Sequence, residues 1–277
     1  MPLDDHVQGK LERSLYQKFN GDPDVTVVIF DHTIRAIDVV DSVMYFAFPS
    51  QGHGGKSGAE CIASYLLQKG RISPFNLRNT AKIIIEEFIK PLRNKGASSK
   101  DTVKDEDDTM ERDSSFRSRL LERDEGCCVV TGYPDRSNKG RKTECHVRLE
   151  GAHIFPSALR DKAVSASEMI RRFCADRDDC YLFGTSVDET YNGISLQHDA
   201  HGDFDDYLWS LERVGNGNEY RVEIMVGNAR GLSFDLGLHQ YIKLKGGETK
   251  HGPAAPAAHL LQLHLQFSRL LMFLRGR

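Results

Sequence analysis

Glu150-Gly-Ala-His153-Ile-Phe-Pro156, then Asn192-Gly-Ile-Ser-Leu196, then His201-Gly-Asp-Phe-Asp205 are the segments that decide how this chain reads. Leu149 to Pro156 reads as a strand ending in a turn, with His153 at its tip. Asn192 to Leu196 reads as a second short strand. Asp199 is the expected N-cap of a helix running to Leu211, unless Tyr207 to Leu211 opens a strand instead. On that helix His201 and Asp205 stand at i and i+4, so both project from one face and offer a half-site for a cation. Histidine suits a base, since its unperturbed pKa of about 6.5 leaves much of it neutral near pH 7. Hydrolysis of a phosphodiester needs a base for the water, a divalent cation for the charge on phosphate and leaving oxygen, and fixed geometry between them. The three segments together predict such a centre: strand, strand, helix, with the base on the first strand and cation ligands on the helix.

This pattern resembles the HNH endonuclease family, the ββα-metal fold, and most closely the HNH domain of many filamentous-fungal proteins. The matching pieces are Arg123-Asp-Glu-Gly-Cys-Cys-Val-Val-Thr131-Gly132, Ala152-His153-Ile154 with Pro156, Asn192-Gly193 before a short apolar strand, and His201 followed by Phe204-Asp205. The resemblance implies that His153 is the general base and His201 the metal ligand on the helix. It implies that Asn192 orients the base and the turn between the strands. The chain departs from the pattern at Ala152, where many HNH enzymes carry a metal-binding Asp or His. Asp205, or else Glu150, then supplies the missing oxygen. The implied cofactor is a divalent cation, Mg²⁺ for phosphate chemistry, with Mn²⁺ or Zn²⁺ also able to bind where His is a ligand. The implied partner is nucleic acid, DNA ahead of RNA. Ala152 also keeps open a second reading, a catalytically weak scaffold of this type that binds nucleic acid or a protein. Taken singly, a His on an apolar strand is a core residue and an Asn-Gly is a turn. The order of the pieces is what carries the reading.

Composition fits this picture without demanding it. The 277 residues allow one large or two modest domains, and 39% hydrophobic with 28% charged residues is ordinary for a globular chain. The net charge of −3 means that any nucleic-acid surface is local. The best candidate is the loop Pro134-Asp-Arg-Ser-Asn-Lys-Gly-Arg-Lys142, with Arg136, Lys139, Arg141 and Lys142. None of the six cysteines forms a CxxC pair, which favours free thiols in a reducing compartment over a zinc site built from Cys127 or Cys128 with Cys145 or His146. The start, Met1-Pro-Leu-Asp-Asp-His, has no basic and apolar signal region, and no apolar run approaches the roughly 20 residues that span a bilayer. The expectation is an intracellular protein of the cytoplasm or nucleus, with no membrane partner.

The overall expectation is an α+β chain. Residues 1–95 form a small α/β module, 96–114 a polar linker, and 115–277 the HNH-type domain with its core at 145–211. In the first part Val25 to Phe30 reads as a buried strand and Val43 to Phe48 as a second. The stretch Gln51-Gly-His-Gly-Gly-Lys-Ser57 precedes a helix from about Gly58 to Gln68. It resembles a phosphate loop but lacks the first Gly, since residue 50 is Ser. A nucleotide site there is the third and weakest reading. A further helix starts near Ser73 and carries the stripe Ile83 to Ile89. Phe116 to Arg123 is read as a helix leading into a Cys-Val-Val-Thr-Gly strand and turn. Val164 to Cys174 is an inserted helix. After the centre come strands at 220–226 and 238–244, forming a terminal hairpin. Last comes a strongly apolar helix from Ala257 to Leu274, buried or facing a partner such as a second copy of the chain.

Overall fold

The structure is a computed structural model that describes residues 26–29, 32–47, 57–68, 77–93, 106–138, 145–155, 164–174, 188–225, 240–246 and 253–275. It is mixed α+β, with helices and three small antiparallel sheets. The chain divides into two compact units. One holds residues 1–92, 162–181 and 273–277; the other holds 93–161 and 182–272. Residues 162–181, expected to stay with the C-terminal domain, are therefore grouped with the N-terminal residues.

The first unit opens with the hairpin β1 (Thr26–Ile29) and β2 (His32–Arg35), in which Val27 pairs with Ile34 and Val28 with Thr33. Alternation leaves Val27 and Ile34 buried and Val28 exposed, so β1 is covered on one side only rather than buried on both. The expected second strand at 43–48 is instead the end of helix α1 (Ala36–Phe46). Ala36, Val39, Val40 and Val43 are all fully buried, and their spacing of i, i+3, i+4 and i+7 is helical. A continuous apolar run hid that period. Helix α2 (Gly58–Gln68) begins with a reciprocal cap. The Ser57 N–H donates to Glu60 Oε2 at 2.8 Å, and the Glu60 N–H donates to Ser57 Oγ at 3.2 Å. Ser57 thus serves helix initiation; residues 51–56 of the glycine stretch lie outside the described residues. Helix α3 (Leu77–Ile84) continues through a π turn (Ile85–Ile89) into the short α4 (Lys90–Arg93). Helix α6 (Val164–Phe173) packs here, with the rings of Phe173 and Phe88 5.3 Å apart.

The second unit begins with α5 (Glu106–Arg123), so residues 106–114 of the expected linker are helical. After α5 the Cys127–Gly132 segment is a turn closed by an isolated bridge from Cys127 to Pro134, not a strand. Strand β3 (Leu149–His153) pairs antiparallel with β4 (Gly193–Gln197), Leu149 facing Gln197 and His153 facing Gly193. A single 3-10 turn (Thr190–Asn192) leads into β4. Helix α7 (His198–Asp205) follows at once. Its N-cap position is Gln197, without a side-chain cap, so Asp199 lies inside the first turn. The helix stops well short of Leu211 because Tyr207 adopts a left-handed backbone, φ 57°, and the Leu208 N–H turns back to the Asp203 carbonyl at 2.9 Å. Burial of the Tyr207 ring, stacked on His264 at 4.7 Å, offsets the strain of that conformation.

Strands β5 (Trp209–Arg213), β6 (Glu219–Ile224) and β7 (Tyr241–Lys243) form a three-stranded meander. The expected hairpin is thus present as β6 and β7, with β5 added; its connection, including the turn at 227–231, lies outside the described residues. Helix α8 (Ala258–Arg275) closes the unit. Leu260, Leu261, Leu263, Leu265, Leu270 and Leu271 are buried within this one chain. His264 accepts no ligand role there: it stacks on Phe204 at 3.8 Å and its ring nitrogens face Ser210 Oγ and the Phe204 carbonyl. Trp209 is fully buried and donates to the Ala200 carbonyl.

Two ion pairs hold β3, β4 and α5 together. Arg123 and Asp124 have side chains only 0% and 2% exposed. Arg123 grips Asp124 with two bonds and also donates to the carbonyls of Thr190 and Gly193 at 2.7 and 2.8 Å. Asp124 in turn accepts the Ser195 N–H. With a further bond from Arg123 to the Ala254 carbonyl at 3.4 Å, this buried pair is satisfied by its own two bonds, the entry to β4 and the chain before α8. The second pair is Arg117 with Asp135, which also accepts the Leu149 N–H at the start of β3 and the Ser137 N–H and hydroxyl. Burial alone would raise the Asp135 pKa. The bonds from Ser137 and Leu149, with the Arg117 charge, outweigh it and hold the pKa down to about 2.

Two outcomes are expected. A Cβ at Gly193 would lie 2.4 Å from Phe116 Cζ and 2.9 Å from Leu120 Cδ1, although the backbone there is extended and suits any residue. Gly193→Ala should therefore lower stability by about 1–3 kcal/mol in urea unfolding through overpacking, whereas an unchanged midpoint would contradict so close an approach. For Asp135 the folded pKa lies below the unfolded value of 3.8. Its contribution of about 2 kcal/mol is present above 3.8 and lost as the pH falls toward 2. Asp135→Asn should be less stable than wild type at pH 7, and the gap should close across that acid window in unfolding curves taken at successive pH values.

Candidate active site

His153 ends β3, and what surrounds it follows from the smallness of two glycines. Gly193 pairs with His153 and Gly151 with Ser195, and neither glycine has a side chain, so Phe116 of α5 lies directly against the hairpin. The His153 imidazole stacks on that ring, nearly parallel at 7° and 4.4 Å between centroids. Its Nε2 lies 3.0 Å from Asp188 Oδ1. Since a carboxylate only accepts, Nε2 carries the proton and donates. His153 is about one-fifth exposed at its side chain, enough to meet a water or substrate.

Asn192 is fully buried just before β4. Its Oδ1 accepts the Phe155 N–H at 2.9 Å and its Nδ2 donates to the Phe155 carbonyl at 3.2 Å. The Ile154 N–H bonds the Asn192 carbonyl as well. The amide therefore pins the two residues that follow His153, and so fixes the exit of β3. Pro156 lies outside the described residues.

His201, on α7, gathers the second cluster. Its Nδ1 donates to Glu150 Oε2 at 2.8 Å, which leaves the Nε2 lone pair facing Asp205 Oδ2 at 3.6 Å. His198 Nδ1 lies 3.0 Å from the other Glu150 oxygen. Burial would raise the Glu150 pKa, but hydrogen bonds from His201 and His198, and their charge, hold it below the usual value. The carboxylate that aims His201 is thus ionised near neutrality.

Alternation along β3 puts Glu150 and Ala152 on one face and Gly151 and His153 on the other. His201 with Glu150 belongs to the first face, His153 with Phe116 to the second, and no hydrogen bond or ion pair joins His153 to His201. Ala152 is fully buried. Among the described residues, no group of three or more His, Cys, Asp or Glu side chains stands ready to hold a metal ion. His201 and Asp205 nonetheless fit a divalent cation in kind. They pair one imidazole lone pair with a carboxylate oxygen, and the imidazole is oriented by a carboxylate on its other nitrogen, the usual arrangement for a metal-bound His. Of the described cysteines, Cys61, Cys127, Cys128 and Cys174 are buried and Cys145 is exposed.

Of the four basic residues expected to meet nucleic acid, Arg136 is exposed at the surface, and Lys139, Arg141 and Lys142 lie outside the described residues. The residue that sequence reasoning missed is Asp188. It stands 35 positions from His153 with no motif around it, and only the pairing of β3 with β4 brings it near. Glu150 was visible as a spare oxygen, but its bond to His201 depends on how α7 packs.

Residues 128–212 match the family described as HNH endonuclease. The matched span runs from the turn after α5 to β5 and contains Glu150, His153, Asp188, Asn192, His201 and Asp205. No curated protein and no solved structure matches the chain significantly. The family match points to nuclease chemistry on nucleic acid. Among the described residues no helix is long and apolar enough to cross a membrane.

Proposed function

We propose that this chain is a divalent-metal-dependent endonuclease that hydrolyses phosphodiester bonds of nucleic acid, with DNA as its substrate. One observation supports this above the others. Three elements of one unit, β3, β4 and α7, carry His153 at the end of the first, Asn192 at the entry to the second and His201 on the third, all inside the span that matches HNH endonucleases.

His153 acts as the general base. With Nε2 donating to Asp188, Nδ1 offers its lone pair and takes a proton from water. The water oxygen then bonds to phosphorus while the ester P–O bond breaks, and solvent protonates the leaving oxygen. His201 and Asp205 would hold the cation, with Glu150 orienting His201. Such a cation supplies Lewis-acid relief of the charge that develops on the phosphate. Asn192 keeps the chain after His153 in place, so the base does not drift from its line of attack. The loop at 134–142, with Arg136, Lys139, Arg141 and Lys142, carries contacts to the phosphate backbone, which makes binding salt-dependent.

Two features favour a second reading, a scaffold that binds nucleic acid or protein without cutting. Ala152 gives no ligand where this family often has one, and its methyl is fully buried. His153 and His201 also lie on opposite faces of the hairpin.

The deciding experiment offers supercoiled plasmid, single-stranded DNA and RNA to the full chain with Mg²⁺, Mn²⁺ or EDTA. The expected result is DNA cleavage that EDTA abolishes and that falls about 10²–10⁴-fold in His153→Ala and in His201→Ala. Cleavage confined to RNA would change the substrate, and a well-folded protein that cuts nothing with any metal would leave the scaffold.

A further inference from the structure

We propose that Asp188 is the positioning residue of His153: its carboxylate sets which ring nitrogen carries the proton and aims the other at the water. The role in proton transfer rests on the nuclease reading above, whereas the state of the ring does not.

The argument is geometric. Two contacts restrain the imidazole along independent directions. The Phe116 ring, 7° from parallel, fixes its plane, and the Asp188 oxygen 3.0 Å from Nε2 fixes its rotation within that plane. Phe116 is itself buried and packed over Gly151 and Gly193. Asp188 is anchored in its turn. Arg119 of α5 donates to the Asp188 carbonyl and reaches the neighbouring Glu189 carboxylate at 3.5 Å. The Glu189 carbonyl accepts the Asn192 N–H at 2.9 Å, which ties the segment to the turn before β4. The residue that pins the exit of β3 and the residue that orients the base therefore sit within one short stretch, 188–192. A neutral imidazole with its Nε2 proton engaged has one remaining basic site, Nδ1. An ionised partner on the far nitrogen also stabilises the imidazolium formed once Nδ1 is protonated. A bare structural tether for residue 188 would make no such demand on the ring, and an amide would serve it equally well.

The test compares wild type with Asp188→Asn, Asp188→Ala and Asp188→Glu, using ¹⁵N-histidine spectra that report the tautomer of His153, with kcat and KM on the cleaved substrate. Melting curves identify folded variants. In wild type the spectra should show the proton on Nε2. In Asp188→Asn the amide can donate to Nε2, so the proton should move toward Nδ1. There kcat should fall about 10²–10⁴-fold with KM little changed, as expected when the base holds the wrong tautomer. Asp188→Glu should recover part of the rate. Asp188→Ala should keep the Nε2–H form that a free histidine favours, lose the fixed ring orientation and show a similar kcat loss, which keeps the test open if the Asn variant misfolds. An unchanged tautomer in the folded Asn variant, or a kcat equal to wild type in either folded variant, would overturn the proposal while leaving the nuclease intact. A wild type that cleaves nothing would defeat the nuclease reading, and the tautomer comparison would still decide whether Asp188 sets His153.

Discussion

The buried pair Arg123 and Asp124 is the constraint on which the site unit depends. Two opposite charges have been taken out of water, a cost of several kcal/mol per ion unless every hydrogen-bonding atom is used. Here the guanidinium bonds Asp124 twice and the carbonyls of Thr190, Gly193 and Ala254 besides, and the carboxylate takes the Ser195 N–H, so most of these backbone partners lie at the turn before β4 and its first residues. The pair can be satisfied only if α5 lies where it does against β4, and α5 is what presents Phe116 and Arg119 to the site. Stability and local geometry thus have one origin: removing either charge would strand the other and release the helix against which His153 stacks.

Each histidine of the candidate site meets a carboxylate, with opposite consequences. Asp188 accepts from Nε2 of His153, whereas Glu150 accepts from Nδ1 of His201, whose Nε2 faces Asp205. Two chemically identical rings are thereby engaged through different nitrogens. The hairpin keeps them apart, since neighbouring residues on a strand point to opposite faces.

Much of this unit was legible in the sequence because its signals are local. His153 at a strand end, Asn192 before a short strand, and His201 with Asp205 one helical turn apart are features of five or six residues each. The strongly apolar composition of α8 is local in the same sense. What stayed hidden was decided across distance or by ambiguous periodicity. Val43 to Phe48 is a continuous apolar run, and only burial at Ala36, Val39, Val40 and Val43 shows it as helix. The early end of α7 depends on Tyr207 finding His264 on a helix more than fifty residues later. Asp188 lies in a stretch with no periodic pattern, so nothing local marks its bond to His153. Arg123 and Asp124 were quoted as part of a motif, but their burial and the backbone groups they satisfy are long-range facts.

The division of the chain into units also bears on how the protein is made. The unit that begins at the N-terminus is completed only by residues 162–181 and 273–277. As the chain leaves the ribosome, the helices that hold Ile62, Phe88 and Ile89 wait for α6 before that apolar surface is covered. In the meantime α5 and β3 emerge without β4. Neither unit is finished before the other has started, so their apolar faces are exposed together during synthesis. No single cut in the chain separates one unit from the other.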